Sequence, residues 1–345
     1  HFCYFNYAKM LSLGTLCTNR EEEKMMRNAQ YLVIAVILLS YLNAHAQLAY
    51  DPPRTASGRP DLQGVFTWRT LTPLERPDTV GGRSVLSETE AAEWAAFENR
   101  RQNRDLIIDS VGGASYPPGV ISYNEFWYER GNDTVEDRRT SLIIDPPDGK
   151  IPALTEEALA RQRATAAMRE LSLGPEARPY AERCIVTRTS GPPMQPGSYN
   201  LNVQFVQTED YFMIMNEMIH NVRIVKMNSN HRSGPAMYWE GDSIGYWEGD
   251  TLVIETKNFW KGTAFADSTP NMHLVERIRR IGQDTLEYQF TIEDPTTWTA
   301  PWTVSMPMRR MDQPIYEYAC HEGNYGFDGI MAGIRRLQLE EELSN

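Results

Sequence analysis

The sequence predicts a mainly β protein in which an antiparallel meander closes into a barrel with two helical insertions. After Asn200, apolar and polar residues alternate with a period of two almost to the end of the chain, as in strands that bury one face. Short turns such as residues 248–250 separate the alternating runs, and strands joined by tight hairpins are antiparallel. Before Asn200, two stretches have helical periodicity instead.

Residues 1–46 are predicted to be an upstream segment followed by a secretory signal peptide. A basic stretch at residues 24–27 precedes an apolar run at 31–42, and Ala44-His45-Ala46 forms a small-x-small cleavage site. The apolar run is shorter than the roughly 20 residues that a membrane-spanning helix needs, which favours export over a membrane anchor. We therefore expect a periplasmic or secreted protein with no membrane span after cleavage.

Residues 47–345 are predicted to form a single β-barrel domain. Residues 59–68 lead into the first strand. The first helical insertion, near 87–103, begins with the capping-box spacing of Ser87 and Glu90. The second, near 155–171, has two glutamates in its first turn, where they interact favourably with the helix dipole.

A short strand is predicted before the proline-rich turn at 146–147, and eight more follow Asn200. The eight cover residues 203–207, 211–217, 220–227, 244–247, 251–256, 273–281, 285–292 and 302–308. A meander of this length closes into a barrel or curls into a sandwich, and we expect the barrel.

The composition limits the possible partners. Acidic residues outnumber basic ones by 46 to 34, for a formal net charge of -12, which excludes the basic surface typical of nucleic-acid binders. Aromatic residues make up 10% of the chain and predict a substantial core. A neutral small-molecule or glycan ligand is favoured over a polyanion. Nothing in the sequence specifies an oligomeric state.

Two cysteines, Cys184 and Cys320, remain once the predicted leader is removed. In an exported protein they favour one disulfide. A pair of metal ligands is the alternative, although neither cysteine has a second one two to four residues away, as structural zinc sites require.

The first candidate site lies in the predicted hairpin around residues 218–219. A two-residue loop would place Glu217 opposite His220, and a carboxylate facing an imidazole suits acid–base catalysis. Arg223 would stabilise developing negative charge, and His231 could return to the same end. The alternatives are a hydrogen-bonded pair on the barrel rim and a solvated arginine.

A second candidate cluster lies at residues 316–325, which are rich in tyrosine and glutamate. Tyr318, His321 and Glu322 would form the wall opposite His220. A disulfide-braced strand end is the structural alternative.

Further residues are candidates for substrate binding. Trp239 and Trp247 lie close to acidic residues, including Asp242, and a tryptophan beside a carboxylate can hold a sugar ring. Arg139 is a candidate anion contact. Core tryptophans and a surface arginine are the alternatives.

Metal binding is a further possibility. Copper, zinc or iron could be held by His220, His231, His273 and His321 if they converge inside the barrel. No two of these histidines are separated by one or two residues, so their spacing gives little support.

Several common enzyme motifs are absent from the sequence, including the nucleophile elbow, the phosphate-binding loop, the zincin motif and the dinucleotide fingerprint. We expect an exported β-barrel enzyme that acts on a hydroxyl-rich small molecule or glycan by acid–base chemistry, of hydrolase, lyase or isomerase type. The alternatives are a non-catalytic ligand-binding barrel and a His-ligated metalloenzyme.

Three strings, at residues 141–152, 245–256 and 316–325, resemble a family of exported bacterial proteins of unknown function. The resemblance covers most of the predicted mature chain and implies export and a single domain, but no catalytic residues. The meander is also similar in outline to lipocalins, a likeness of fold that carries no function.

Overall fold

The computed structural model describes residues 50–106, 124–171, 174–261, 265 and 268–344. Pro52–Asn345 forms one compact unit. The predicted leader, residues 1–46, lies outside the described residues. The predicted fold class is confirmed: nine strands close into a barrel, and a tenth short strand pairs with one of them. Of the helices that the structure describes, none has the length and hydrophobicity of a membrane span.

The strand bounds agree with the predicted ones to within a few residues, and every predicted strand is present. The strands are β1 (Gly64–Thr67), β2 (Ile143–Asp145), β3 (Asn202–Gln207), β4 (Tyr211–Asn216), β5 (Val222–Met227), β6 (Asp242–Glu248), β7 (Thr251–Lys257), β8 (His273–Arg280), β9 (Thr285–Glu293) and β10 (Trp302–Met311).

The barrel closes where β1 pairs with both β3 and the end of β10. Neighbouring strands are antiparallel except β5 and β6, which are parallel with Lys226 opposite Ile244. The chain therefore departs from a simple meander at residues 228–241, because parallel neighbours require a long crossover connection.

The two ends of the barrel differ in their connections. Tight turns at residues 208–210, 249–250 and 281–284 join strands at one end, here called the hairpin end. The longer connections after β1, β7 and β9 gather at the opposite end, here called the loop end. Loops carried by a rigid scaffold are the usual place for a functional site.

Apolar side chains and a buried loop fill the barrel interior. Phe205 contacts both Phe66 and Phe212, with ring centroids 5.8 and 5.2 Å apart. Residues 191–195 are buried at the loop end, where the backbone N–H of Met194 donates to the Tyr288 hydroxyl at 3.1 Å. This buried loop, the plug, is held by a polar group inside the barrel.

One ion pair lies within this apolar interior. The Arg223 guanidinium donates to both carboxylate oxygens of Glu276, at 2.5 and 2.8 Å, and the Tyr288 hydroxyl donates to Glu276 at 2.7 Å. Glu276 is fully buried and Arg223 is 7% exposed. Burial lowers the pKa of Arg223, but the charge and hydrogen bonds of Glu276, together with smaller contributions from Tyr288 and Glu240, outweigh it and the net shift is upward.

Among the described residues, three α-helices accompany the barrel strands: α1 (Glu88–Gln102), α2 (Glu156–Leu171) and α3 (Tyr325–Ser344). The first two confirm the predicted insertions. Helix α1 has the predicted capping box, in which the backbone N–H groups of Ser87 and Glu90 each donate to the other's side chain. Helix α3 was not predicted, because several glycines lower the helix propensity of its first half.

The interior ion pair generates a prediction about stability. Arg223→Met should lower the free energy of unfolding by about 3–5 kcal/mol, because it leaves the Glu276 charge buried without a partner. Replacing the network together, with Arg223→Met, Glu276→Leu and Tyr288→Phe, should restore most of the loss. Urea unfolding measures both variants, and a single variant as stable as the wild type would contradict the prediction.

Candidate functional site

A closed circuit of contacts surrounds one region of the loop end, and we call this circuit the frame. It joins the turn at residues 238–241, the turn at 217–221, the C-terminal segment after β10 and the loop at 179–185. Successive members are joined by ring contacts, hydrogen bonds, one disulfide or the chain itself, and Cys184 is joined to Tyr180 through its neighbour Ile185, whose backbone N–H donates to the Tyr180 carbonyl at 3.0 Å. Its members, in order around the circuit, are Trp239, Glu240, Asn221, His220, Tyr318, Cys320, Cys184 and Tyr180.

The aromatic part of the frame is a row of rings formed by Tyr180, Trp239 and Trp260. The Trp239 ring centroid lies 5.6 Å from that of Tyr180 and 6.0 Å from that of Trp260. Trp239 and Trp260 are 47% and 45% exposed. A ligand can therefore reach the indole of Trp239, which was predicted to bind substrate.

Glycine fixes the turn that presents Trp239. The backbone N–H of Gly241 donates to the carbonyl of Tyr238 at 3.1 Å, and Gly241 has a φ of +74°. A Cβ here would lie 2.8 Å from the carbonyl oxygen of Lys257 and 2.6 Å from the Thr256 side chain. Both the backbone conformation and the close approach to β7 require glycine.

Glu240 follows Trp239 in this turn and is half-buried. Its carboxyl hydrogen-bonds to the Asn221 side chain, and the charges of Arg223 and Glu276 both act on it. Burial raises the pKa of Glu240, as does the negative charge of Glu276, and together they outweigh the lowering by Arg223 and Asn221. Glu240 therefore keeps its proton to a higher pH than an ordinary glutamate.

His220 is exposed on the other side of Asn221. Its Nδ1 lies 3.1 Å from the carbonyl oxygen of Tyr318. Because a carbonyl oxygen can only accept a hydrogen bond, the neutral imidazole carries its proton on Nδ1 and its lone pair on Nε2. The contact thus presents Nε2 as a base.

The expected pairing of Glu217 with His220 across a two-residue loop is wrong. The backbone N–H of Asn216 donates to the carbonyl of Asn221 at 2.8 Å, so the turn contains four residues. Its last two, Ile219 and His220, have positive φ values of 59° and 40°. A two-residue loop of methionine and isoleucine lacks the glycine or asparagine that such tight hairpins favour.

Glu217 is instead buried in a network of hydrogen bonds. It accepts from the side-chain amides of Asn200 at 2.5 Å and Asn202 at 3.0 Å, and from the backbone N–H of Tyr316 at 3.3 Å. Its carboxylate therefore anchors the C-terminal segment to the barrel and is not presented to a ligand.

The predicted disulfide is confirmed, with the Cα atoms of Cys184 and Cys320 5.8 Å apart. The Asn324 side-chain amide donates to the carbonyl of Glu182 at 2.7 Å. This hydrogen bond is a second link between the C-terminal segment and the loop at 179–185. Tyr318 is half-buried, while His321 and Glu322 are exposed in the following turn. The two clusters predicted around His220 and Tyr318 thus meet at the frame.

Other predicted residues make contacts outside the frame. Asp242 accepts from the backbone N–H of Arg232 at 2.6 Å and from Nδ1 of His231, 3.3 Å away. Arg223 lies inside the barrel with Glu276 and not beside His231 as expected. Arg139 is a mostly buried side chain that binds Asp137 and the carbonyl oxygen of Ser305.

Trp247 lies at the hairpin end, beside the turn at residues 249–250 and 5.8 Å from the Arg59 guanidinium. Trp239 and Trp247 are at opposite ends of β6, so they cannot hold one small ligand together.

The histidines do not form a metal centre in the part of the chain that the structure describes, where no three His, Cys, Asp or Glu side chains converge on one point. His231 contacts Asp242, and Nε2 of His273 lies 3.5 Å from Glu255.

Three residues of this region, Glu276, Glu240 and Tyr180, were not predicted. Glu276 had a signal in the sequence, because it shares its strand face with Leu274 and Ile278. A carboxylate on an otherwise apolar face indicates a buried partner. Glu240 and Tyr180 had none, since their roles depend on how separate loops meet.

No protein-family model and no curated protein sequence matches the chain. The resemblance to exported bacterial proteins therefore stays a prediction.

The raised pKa of Glu240 predicts how stability changes with pH. Its contribution to stability is fully present below the unfolded pKa of 4.5 and is lost as pH rises through the higher folded value. Relative to Glu240→Gln, the wild type should lose stability above pH 4.5. Urea unfolding of both proteins at several pH values measures the difference, with Glu136→Gln as the control for loss of an exposed carboxylate. A stability difference between the wild type and Glu240→Gln that does not change with pH would refute the prediction.

The disulfide closes a loop with a sequence separation of 136 residues. Replacing both cysteines with serine should therefore lower the free energy of unfolding by about 5 kcal/mol on the chain-entropy model. Urea unfolding measures the loss, and reduced wild-type protein should unfold at the same midpoint as the variant. Equal stability of the oxidised wild type and the variant would rule out this role.

Proposed function

We propose that this protein is an exported enzyme that binds a hydroxyl-rich small molecule or glycan at the frame and converts it by acid–base chemistry, of hydrolase, lyase or isomerase type. The observation that carries the proposal is the frame itself. One closed circuit of contacts links the exposed ring of Trp239, through Glu240 and Asn221, to His220, and both Glu240 and His220 can transfer protons.

The aromatic row supports the ligand class. An indole ring covers the apolar face of a sugar, while nearby polar groups hydrogen-bond to its hydroxyls. Trp239 is fixed by its ring contacts and by the glycine-dependent turn. A rigid ring loses little conformational entropy when a ligand binds.

Glu240 supports the acid role. A general acid must hold its proton at the working pH, and burial of Glu240 shifts its pKa in that direction. The hydrogen bond from Asn221 lowers the pKa of this carboxyl, but burial outweighs that effect.

His220 supports the base role. Its Nδ1–H is committed to the Tyr318 carbonyl, which leaves the Nε2 lone pair on the exposed imidazole. Asn221 follows His220 in the turn at residues 217–221, and its side chain hydrogen-bonds to Glu240 in the turn at 238–241, so it links the base to the acid. Proton transfer by a positioned side chain contributes roughly 10²–10⁴-fold to a rate.

A non-catalytic ligand-binding protein is the second candidate, and the exposed aromatic row favours it. The rings alone suffice to hold a sugar, whereas catalysis also needs Glu240 and His220. The two candidate functions therefore predict different effects of substituting Glu240 and His220.

The test begins with a screen of polyols and oligosaccharides for binding and turnover. Trp239→Ala should weaken binding of any ligand found. Glu240→Gln and His220→Ala should retain binding and lower turnover by about 10²–10⁴-fold each. Turnover is followed by product analysis and binding by calorimetry.

Matched controls come from the second Trp-Glu-Gly-Asp sequence, at residues 247–250. Glu248→Gln, at the hairpin end, should leave turnover unchanged. Binding unaffected by Trp239→Ala would exclude the frame as the site, and ligand binding without turnover in the wild type would favour the second candidate.

A further inference from the structure

We infer that the ligand of the frame is a carboxylate-bearing sugar, such as a uronic acid residue, held by Arg183 and Arg232. This inference rests on the proposed function and names its substrate class. Two guanidinium groups accompany the aromatic rings, one from the loop of Tyr180 and one from the connection that carries Trp239.

Arg183 lies in the loop that carries Tyr180. Its guanidinium carbon is 5.5 Å from the centroid of the Tyr180 ring, and its backbone N–H donates to the carbonyl of Pro179 at 3.2 Å. The disulfide at the next residue, Cys184, ties this loop to the C-terminal segment. Among the described residues, no carboxylate lies within ion-pair distance of Arg183, so its charge is available to a ligand.

Arg232 approaches from the connection between β5 and β6. Its guanidinium carbon lies 4.8 Å from the centroid of the Tyr238 ring, and the Arg232 side chain also hydrogen-bonds to Tyr238. Tyr238 precedes Trp239 in the same turn. The Arg232 side chain is 55% exposed, and its contact with Asp242 is long, at 3.7 Å between Nε and Oδ1. Asp242 is held by His231 and by the Arg232 backbone N–H as well, so it only partly neutralises this cation.

Arginine on an aromatic ring is suited to carboxylate recognition. The ring supports the flat face of the guanidinium and leaves the N–H groups along its edge free to donate. Two of these N–H groups match the two oxygens of a carboxylate. A ligand with only hydroxyls would not need this charge, whereas a uronic acid offers a sugar face to Trp239 and a carboxylate to an arginine.

The local charge differs from the charge of the whole chain. The net charge of -12 favours neutral ligands when it is considered alone, and that was the expectation from composition. Solvent and salt screen interactions between distant charges over about 10 Å, so a carboxylate at the frame responds mainly to the groups beside it. Arg183 and Arg232 are therefore decisive for ligand selection.

The test compares acidic and neutral oligosaccharides on the full chain. Oligomers of galacturonate, glucuronate and mannuronate, each with its neutral hexose counterpart, are titrated at neutral pH and followed by calorimetry. At least one acidic oligomer should bind more tightly than its neutral counterpart. Arg183→Gln and Arg232→Gln should each weaken its binding by about tenfold and leave the neutral oligomer unaffected.

Arg279→Gln is the matched control, because it removes an exposed arginine near the hairpin end and should change neither affinity. Arg183→Lys should recover only part of the binding, since lysine lacks the planar fork. If neutral oligomers bind as well as acidic ones, the inference fails and the proposed function stands. If no oligomer binds, both are overturned.

Discussion

The ion pair between Arg223 and Glu276 is the constraint on which the loop end depends. It joins β5 to β8 across the apolar interior, and the Tyr288 hydroxyl links it to β9 and to the Met194 backbone. A buried charge without a partner is strongly destabilising, so these strands and the plug have to adopt one relative arrangement. The network in the barrel interior thereby fixes the position of the plug along the barrel axis, and with it the surface on which the loops pack.

A second buried charge, that of Glu217, constrains the C-terminal segment in the same way. Glu217 follows the last residue of β4, and its buried carboxylate requires several donors because burial removes its hydration. Two asparagine amides and the Tyr316 backbone supply them. This arrangement brings Tyr318 to His220, and the disulfide then connects the segment to the loop of Tyr180. A carboxylate with no direct role in the proposed chemistry therefore determines the geometry of the frame.

Strand positions and the disulfide could be predicted from the sequence because each depends on local alternation or on a count of two cysteines. The candidate site could be predicted only in part. The sequence Trp-Glu-Gly-Asp occurs at residues 239–242 and again at 247–250, and its glycine has a positive φ in both. The second copy makes a tight hairpin between β6 and β7, whereas the first precedes β6 and packs against loops from distant parts of the chain. No local pattern distinguishes Glu240 from Glu248, because the difference lies in the neighbours that the parallel pairing of β5 and β6 supplies.

Those neighbours explain why Glu240 is suited to hold a proton. A glutamate near a buried arginine would ordinarily ionise, because the opposite charge stabilises the carboxylate. Here Nη1 and Nη2 of Arg223 already donate to the Glu276 carboxylate. The negative charge of Glu276 also repels an ionised Glu240. The charge of Glu276 offsets only part of the lowering by Arg223, and the burial of Glu240 decides the direction of its pKa. The carboxyl group beside the ion pair that stabilises the barrel can therefore act as an acid because its burial outweighs the lowering by Arg223.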